Sequence, residues 1–234
     1  MKKIALIVLT YASILLNAQN QGTVLYQMTI EGLPAEQAAM MGDMEMKMVW
    51  KDNKFYSEQN SMMYSIKTAG DDKSVIMLMD MMGNKNFMRI NPEDPKYKED
   101  DKNKIDYKVE YTNDTKKIAG YDCKKAIVTG KSRDGKDFNA EVWYTEQIPN
   151  VYAQQKYKSK RNQEVAYLKG IKGMPLEYSF PQQGMTIKIT AKEINFNPVS
   201  DDIFNLSTEG YTEIKPEDMK KWRGGGVVLQ LKLE

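Results

Sequence analysis

In 234 residues the chain carries 34 Lys and Arg against 32 Asp and Glu, a formal net charge of +2, with no histidine and one cysteine. That balance gives no global pull toward nucleic acid or anionic lipid, and 28% charged residues with a mean hydropathy of −0.63 exclude a bundle of membrane helices. Without histidine, the Ser-His-Asp and Cys-His nucleophile arrangements and the usual zinc ligand sets are removed.

The chain opens "MKKIALIVLTYASILLNAQNQG": two lysines, an apolar run from Ile4 to Leu16, then small and polar residues. This is the layout of a secretory signal peptide over residues 1–18, with cleavage expected after Ala18. Loss of Lys2 and Lys3 takes the net charge from +2 to 0. The expectation is an exported protein, periplasmic, outer-membrane-associated or secreted from a Gram-negative bacterium, with no transmembrane segment after cleavage. The lone Cys123 has no partner for an internal bridge and reads as a structural, strand-buried thiol.

Beyond the leader, apolar and polar residues alternate at period two. After "GTVLYQMTI", the stretch "LPAEQAAMMG" has Pro34 at a first helical position and Gly42 as a stop, predicting a short helix. In "DMEMKMVWKD" Met44, Met46, Met48 and Trp50 share one face, with Val49 the exception on the other. "SVIMLMDMM" (74–82) is apolar on both faces except for Asp80. "NPEDPKYKEDDKNK" (91–104) reads as a solvated loop.

Alternation resumes with Ile105, Tyr107, Val109 and Tyr111, then Phe138, Ala140, Val142 and Tyr144, then Met185, Ile187, Ile189 and Ala191. After Ala191 the parity changes to Ile194 and Phe196, which predicts a β-bulge at Lys192–Glu193. "TEQIPNVYAQQ" predicts a turn or short helix over one mouth of the sheet, and "KPEDMKKWRGGG" repeats helix-start and helix-stop signals. Turn signals at 51–54, 69–73, 82–85, 133–136 and 181–184 separate the strands.

The sum is a mainly β protein: a curved antiparallel sheet, a half-barrel of about 9–11 strands with two or three short helices. Residues 19–213 form one β-rich domain. Residues 214–234 form a C-terminal short helix followed by a strand or tail, the alternating Val227, Leu229, Leu231 and Leu233 fitting either.

Thirteen of the seventeen methionines fall between Met28 and Met88, five of them in "MMGDMEMKM" (40–48). Three readings stay open for them: packed core, a flexible apolar lining that repacks around a guest, and a thioether site for Cu(I). The lining candidates are Met44, Met46, Met48, Trp50, Met77 and Met79. Trp50, Tyr107, Tyr111, Trp143 and Tyr144 are candidates for one aromatic cluster in the concavity. No G-x-S-x-G, P-loop or dinucleotide fingerprint is present, and although carboxylates are plentiful enough for a two-carboxylate glycosidase site, no pair sits in an apolar setting that would raise a pKa, so no catalytic residue and no cofactor is assigned.

Four stretches carry a resemblance: "KKIAGYDCKKAIVTG", "AEVWYTEQIPN", "LKGIKGMPLEYSF" and "NPVSDDIFNLSTEGYTEI". In the order G-Y-x-C-K-K, W-Y-T-x-x-I-P, G-x-P-L-E-Y and D-x-x-F, they resemble exported bacterial proteins grouped as a domain of unknown function and related to the GLPGLI proteins. "MVWKDNKFYSEQ" is similar to the family's strand-turn-strand, and the resemblance covers residues 23 to 213. "GIKGMPLE" departs from the full GLPGLI motif, which places the chain in the first group. The family has no assigned activity. Its wider likeness to the LolA/LolB-like fold implies a half-barrel that holds lipid or lipoprotein acyl chains.

The expected function is therefore non-enzymatic binding of a lipid or other hydrophobic ligand in the concavity. The alternative is an envelope module with a filled core that binds a protein partner through a sheet edge.

Overall fold

The computed structural model describes residues 20–32, 42–94, 107–131, 137–154, 167–182 and 185–215, with the single positions 34, 36 and 39. The predicted leader, the helix around Met40 and Met41, most of the loop at 91–104, and the C-terminal helix and tail lie outside them.

Alternating sequence becomes alternating burial. The first six strands are β1 (Gln21–Glu31), β2 (Met44–Lys51), β3 (Lys54–Asn60), β4 (Tyr64–Gly70), β5 (Val75–Met81) and β6 (Asn84–Ile90). They form one antiparallel meander. A second meander holds β7 (Tyr107–Ile118), β8 (Tyr121–Lys131), β9 (Asp137–Thr145), β10 (Met174–Gln182) and β11 (Met185–Asn195). The two join because β11 returns to pair with β1. A short β12 (Thr212–Glu213) adds to β6 in parallel, the one departure from the expected antiparallel pairing.

The result is a single sheet of twelve strands among the described residues, open between the β12–β6 edge and β7. It is curved strongly enough that β7 approaches β11 across the curl. One helical turn, α1 (Val151–Gln154), and a 3₁₀ turn at Asp201–Phe204 are the helical elements with complete description. Among the described residues no helix is long and apolar enough to cross a membrane.

The bulge predicted from the parity change is present. Leu25 pairs with Glu193 and Tyr26 with Ala191, which leaves Lys192 unpaired. Val24, Ile194 and Ala191 thereby stay on the core face. Val49, the apparent exception in β2, packs on the outer face with Tyr56 and Ala69. The 199–206 segment covers this small cluster with Val199, Ile203, Phe204 and Leu206.

Polar contacts hold that segment down. Lys51 Nζ donates to the Val199 carbonyl at 3.0 Å, and Lys51 and Lys54 both reach Asp201 at 2.9 Å. The two ammonium groups hold the Asp201 carboxyl down at about 2. Since the folded value lies below the ordinary carboxylate value, the stabilisation is complete above that ordinary value and is lost as the pH falls through about 2. The stability difference between the protein and Asp201→Asn, read from denaturant melts, is therefore expected in full at pH 6 and mostly lost by pH 2.

Two hairpins turn through paired left-handed residues: Met82 (φ 53°) with Gly83 (φ 87°), and Ala119 (φ 49°) with Gly120 (φ 86°). This is type I′ geometry, which matches strand twist and favours Asn, Asp or Gly. Ala119→Asn is expected to raise the unfolding free energy by roughly 0.5–1 kcal/mol, because the short amide side chain hydrogen-bonds locally and offsets the cost of the left-handed backbone. Equilibrium denaturation checks it.

Candidate ligand-binding face

The register fixes which side chains line the inner face of β1 to β6, and they fall in rows. One row runs Val24, Met48, Ser57, Thr68, Met77, Met88. The next runs Tyr26, Met46, Gln59, Ile66, Met79, Asn86. A third, nearer the β2–β3 turn, runs Gly22, Trp50, Phe55, Gly70, Val75, Ile90. No Asp, Glu, Lys or Arg stands in any of the three.

The six predicted lining residues all lie on this face, but in two groups. Met44, Met46, Met48 and Trp50 are buried, and the last three belong to the main core with Val24, Tyr26 and the inner residues of β8 to β11. Met79 is buried and Met77 half-buried in a second core with Phe55, Val75, Met88 and Ile90. The strand spacing puts the β2 and β5 axes about 14 Å apart. Between them stand Ser57, Gln59, Ile66 and Thr68, all half-exposed.

The main core and the second core are separated along β3 and β4 by the short or polar Ser57, Gln59 and Thr68, while Ile66 packs against the second core. The Met46 sulfur accepts from Gln59 Nε2 at 3.7 Å, which ties this strip to the main core. Trp50, Phe55, Val75 and Ile90 are buried at the β2–β3 turn end of the rows.

Ser57, Gln59, Ile66 and Thr68 are not among the expected lining residues. The signal is in "KFYSEQN" and "YSIKTAG", where Ser57, Gln59 and Thr68 interrupt an otherwise apolar face. Their position opposite the methionines appears only once strand order is known.

The aromatics do not form one cluster. Tyr111 and Tyr144 stack edge to face at 5.5 Å, while Trp50 pairs with Phe196 at 6.1 Å. Trp143 lies on the outer face, because 142 and 144 point inward. There Lys116 Nζ sits 4.2 Å from its ring centre and 2.8 Å from Glu177. Burial alone would raise the Glu177 pKa, but Lys116 and Lys188 outweigh it and hold the carboxyl below its usual value.

In place of the expected cluster, three buried tyrosines fill the β1–β10 core. Tyr26 donates to the Pro175 carbonyl at 2.9 Å, and the Tyr152 and Tyr178 hydroxyls meet at 3.0 Å. Burial pushes all three pKa values well above the ordinary tyrosine value, which keeps them neutral. They are structural donors.

Burial also raises the Cys123 thiol to about 11, far from a reactive thiolate. Among the described residues no group of three or more Cys, Asp or Glu is placed to hold a metal ion. A shallow depression of about 210 Å³ lies over Asp137, Phe138, Ser179 and Thr186. It is smaller than the ~300 Å³ at which small-molecule pockets begin, and none of the predicted lining residues touches it.

Comparison with known proteins adds the following. The family model described as "Domain of unknown function (DUF4412)" matches residues 21–209. No curated protein matches the chain. Two solved structures to which it is similar are PNGF-II in a C2 space group and LprF from Mycobacterium bovis. The first has 17% identity and a TM-score of 0.42, covering 86% of this chain and 32% of that one, so the chain spans about a third of its length. The second has 11% identity and a TM-score of 0.34, covering 80% of this chain and 93% of that one.

Proposed function

We propose, from the premise that the chain belongs to the DUF4412 family of domains of unknown function, that it is an exported, non-enzymatic carrier of a hydrophobic ligand. The ligand is a lipid or lipoprotein acyl chain lying along the β3–β4 trough. The observation that carries this reading is the split of the core along half-exposed Ser57, Gln59, Ile66 and Thr68, with thioether and aromatic walls on both sides.

Apolar burial drives such binding at about 0.8 kcal/mol per methylene. The walls are unbranched, polarisable methionines that repack around chains of different length. The Ser57 and Thr68 hydroxyls and the Gln59 amide offer hydrogen bonds to an ester or amide where a chain joins its head. Met44 continues the methionine face beyond Met46, and Trp50 closes the end near the β2–β3 turn.

A filled trough tests this. Ser57→Phe and Thr68→Phe each place a ring where the ligand lies, without cutting into either core. Titration with a dansyl-labelled fatty acid is expected to saturate the wild-type protein and to fail with either variant, while the thermal midpoint stays the same or rises. Equal probe binding by wild type and both variants contradicts the trough as the site.

A further inference from the structure

At the end of the sheet where β3 passes to β4 and β5 to β6, two methionines stand in solvent. Met62 is 79% exposed and Met82 is 83% exposed. Among the described residues Tyr111, at 37%, is the only other exposed large hydrophobic side chain. The two methionine turns are adjacent, because Met82 N donates to the Met63 carbonyl at 3.2 Å, one residue beyond the Tyr64–Met81 pair.

Neither methionine serves the fold. Met82 sits at φ 53°, a left-handed turn position that Asn, Asp or Gly occupies at lower cost. Met62 is held in place from below: its Cγ and Sδ lie over Gly42, where an added Cβ would come within 2.9 Å of both. A local rule broken at an exposed apolar side chain, twice and side by side, marks a surface made for contact.

The charge around the tips selects the partner. Among the described residues, Glu31, Asp43, Glu45 and Asp80 stand on the β1–β6 half of this end against Lys85, which is paired across the strands with Asp80 and faces the Tyr211 ring at 5.8 Å. Asp43 adjoins Gly42 beneath Met62. An acidic collar repels anionic lipid and favours a cationic surface. Flexible thioethers inside such a collar fit an apolar face of varied sequence.

We propose that the Met62 and Met82 turn tips form a docking surface for a cationic, amphipathic peptide segment of a partner protein. The thioethers take its apolar face and the carboxylates its lysines or arginines. The surface does not depend on whether the trough holds a ligand.

The test uses the full chain and a synthetic amphipathic helix of Lys and Leu, read by fluorescence anisotropy, beside a Glu/Leu helix of the same pattern and neutral and anionic vesicles. The Lys/Leu peptide is expected to bind, to weaken in high salt, and to lose at least tenfold in affinity with Met62→Ser/Met82→Asn. That variant is expected to keep or raise the thermal midpoint, since asparagine suits the turn. Asp43→Asn/Glu45→Gln, which keeps both methionines, is expected to weaken the same peptide. Unchanged affinity in the methionine variant overturns the proposal. So does equal binding of the Glu/Leu peptide, which shows apolar adhesion alone, or binding of vesicles in preference to the peptide, which assigns the tips to a lipid surface.

Discussion

Trp50→Ala is expected to lower the unfolding free energy by about 3–5 kcal/mol, as truncation of a buried aromatic does. Trp50 is 3% exposed and stacks edge to face on Phe196 at 6.1 Å. Such a pair adds about 0.5–1.5 kcal/mol beyond the area it buries. The site cannot collapse to fill the void easily, because the ring lies against Gly22, where an added Cβ would stand 2.4 Å from Trp50 Cζ2. Glycine has no side chain with which to follow the retreating surface. For a domain of this size the thermal midpoint should fall by about 10 °C, and a fall of only a degree or two would show that Trp50 stands in an open space. The closed end of the trough also loses its stopper, so the variant should accept longer acyl probes than the parent.

Gly173→Ala is the second change with a large expected effect, and the strain is in the backbone. An added Cβ at Gly173 would stand 2.1 Å from the Thr145 carbonyl oxygen and 2.7 Å from its carbonyl carbon. Neither can turn aside as a side chain would. The glycine lets β10 begin close against the end of β9, where Met174 N donates to the Ile148 carbonyl at 3.1 Å. Met174 and Leu176 follow at full burial, and the bulge between Pro175 and Glu177 then sets Tyr178 into the core. Forcing the strands apart disturbs all of these, at a cost of about 3 kcal/mol, the upper part of the range for overpacking. Chemical denaturation should show this loss; a variant as stable as the parent would mean that β9 and β10 are not in close apposition there. The G-x-P-L-E-Y element thus has a structural reason for its glycine.

Much of the fold was legible because a strand states its own faces. Met44, Met46, Met48 and Trp50 point inward as their spacing requires, and the parity change after Ala191 located the bulge at Lys192. The D-x-x-F stretch also found a physical role, Asp201 clamped by two lysines and Phe204 capping Val49 and Tyr56. Period two is silent about which strands are neighbours. That β11 closes on β1, and that β12 runs parallel to β6, depend on long-range pairing.

The same limit explains the candidate site. Met46 and Met79 occupy one row, as do Met48 and Met77, yet each pair is separated by two strands, by Gln59 and Ile66 in the first row and by Ser57 and Thr68 in the second. Methionine density marks the apolar strips, and the half-exposed Ser57, Gln59, Ile66 and Thr68 lie between them. Trp143 stands opposite Val142 and Tyr144, half-buried against the main core with Lys116 and Lys125 over its ring.

The central claim is that the concave face carries an apolar ligand. Native mass spectrometry of the protein, purified under mild conditions from a host envelope, tests it most directly. The account predicts a population heavier than the bare chain by the mass of one lipid or acyl species, released by delipidation and absent from Ser57→Phe. A single species at the bare mass, from several lipid-containing hosts and with no uptake of added fatty acid, would contradict it and leave the two cores as packing alone.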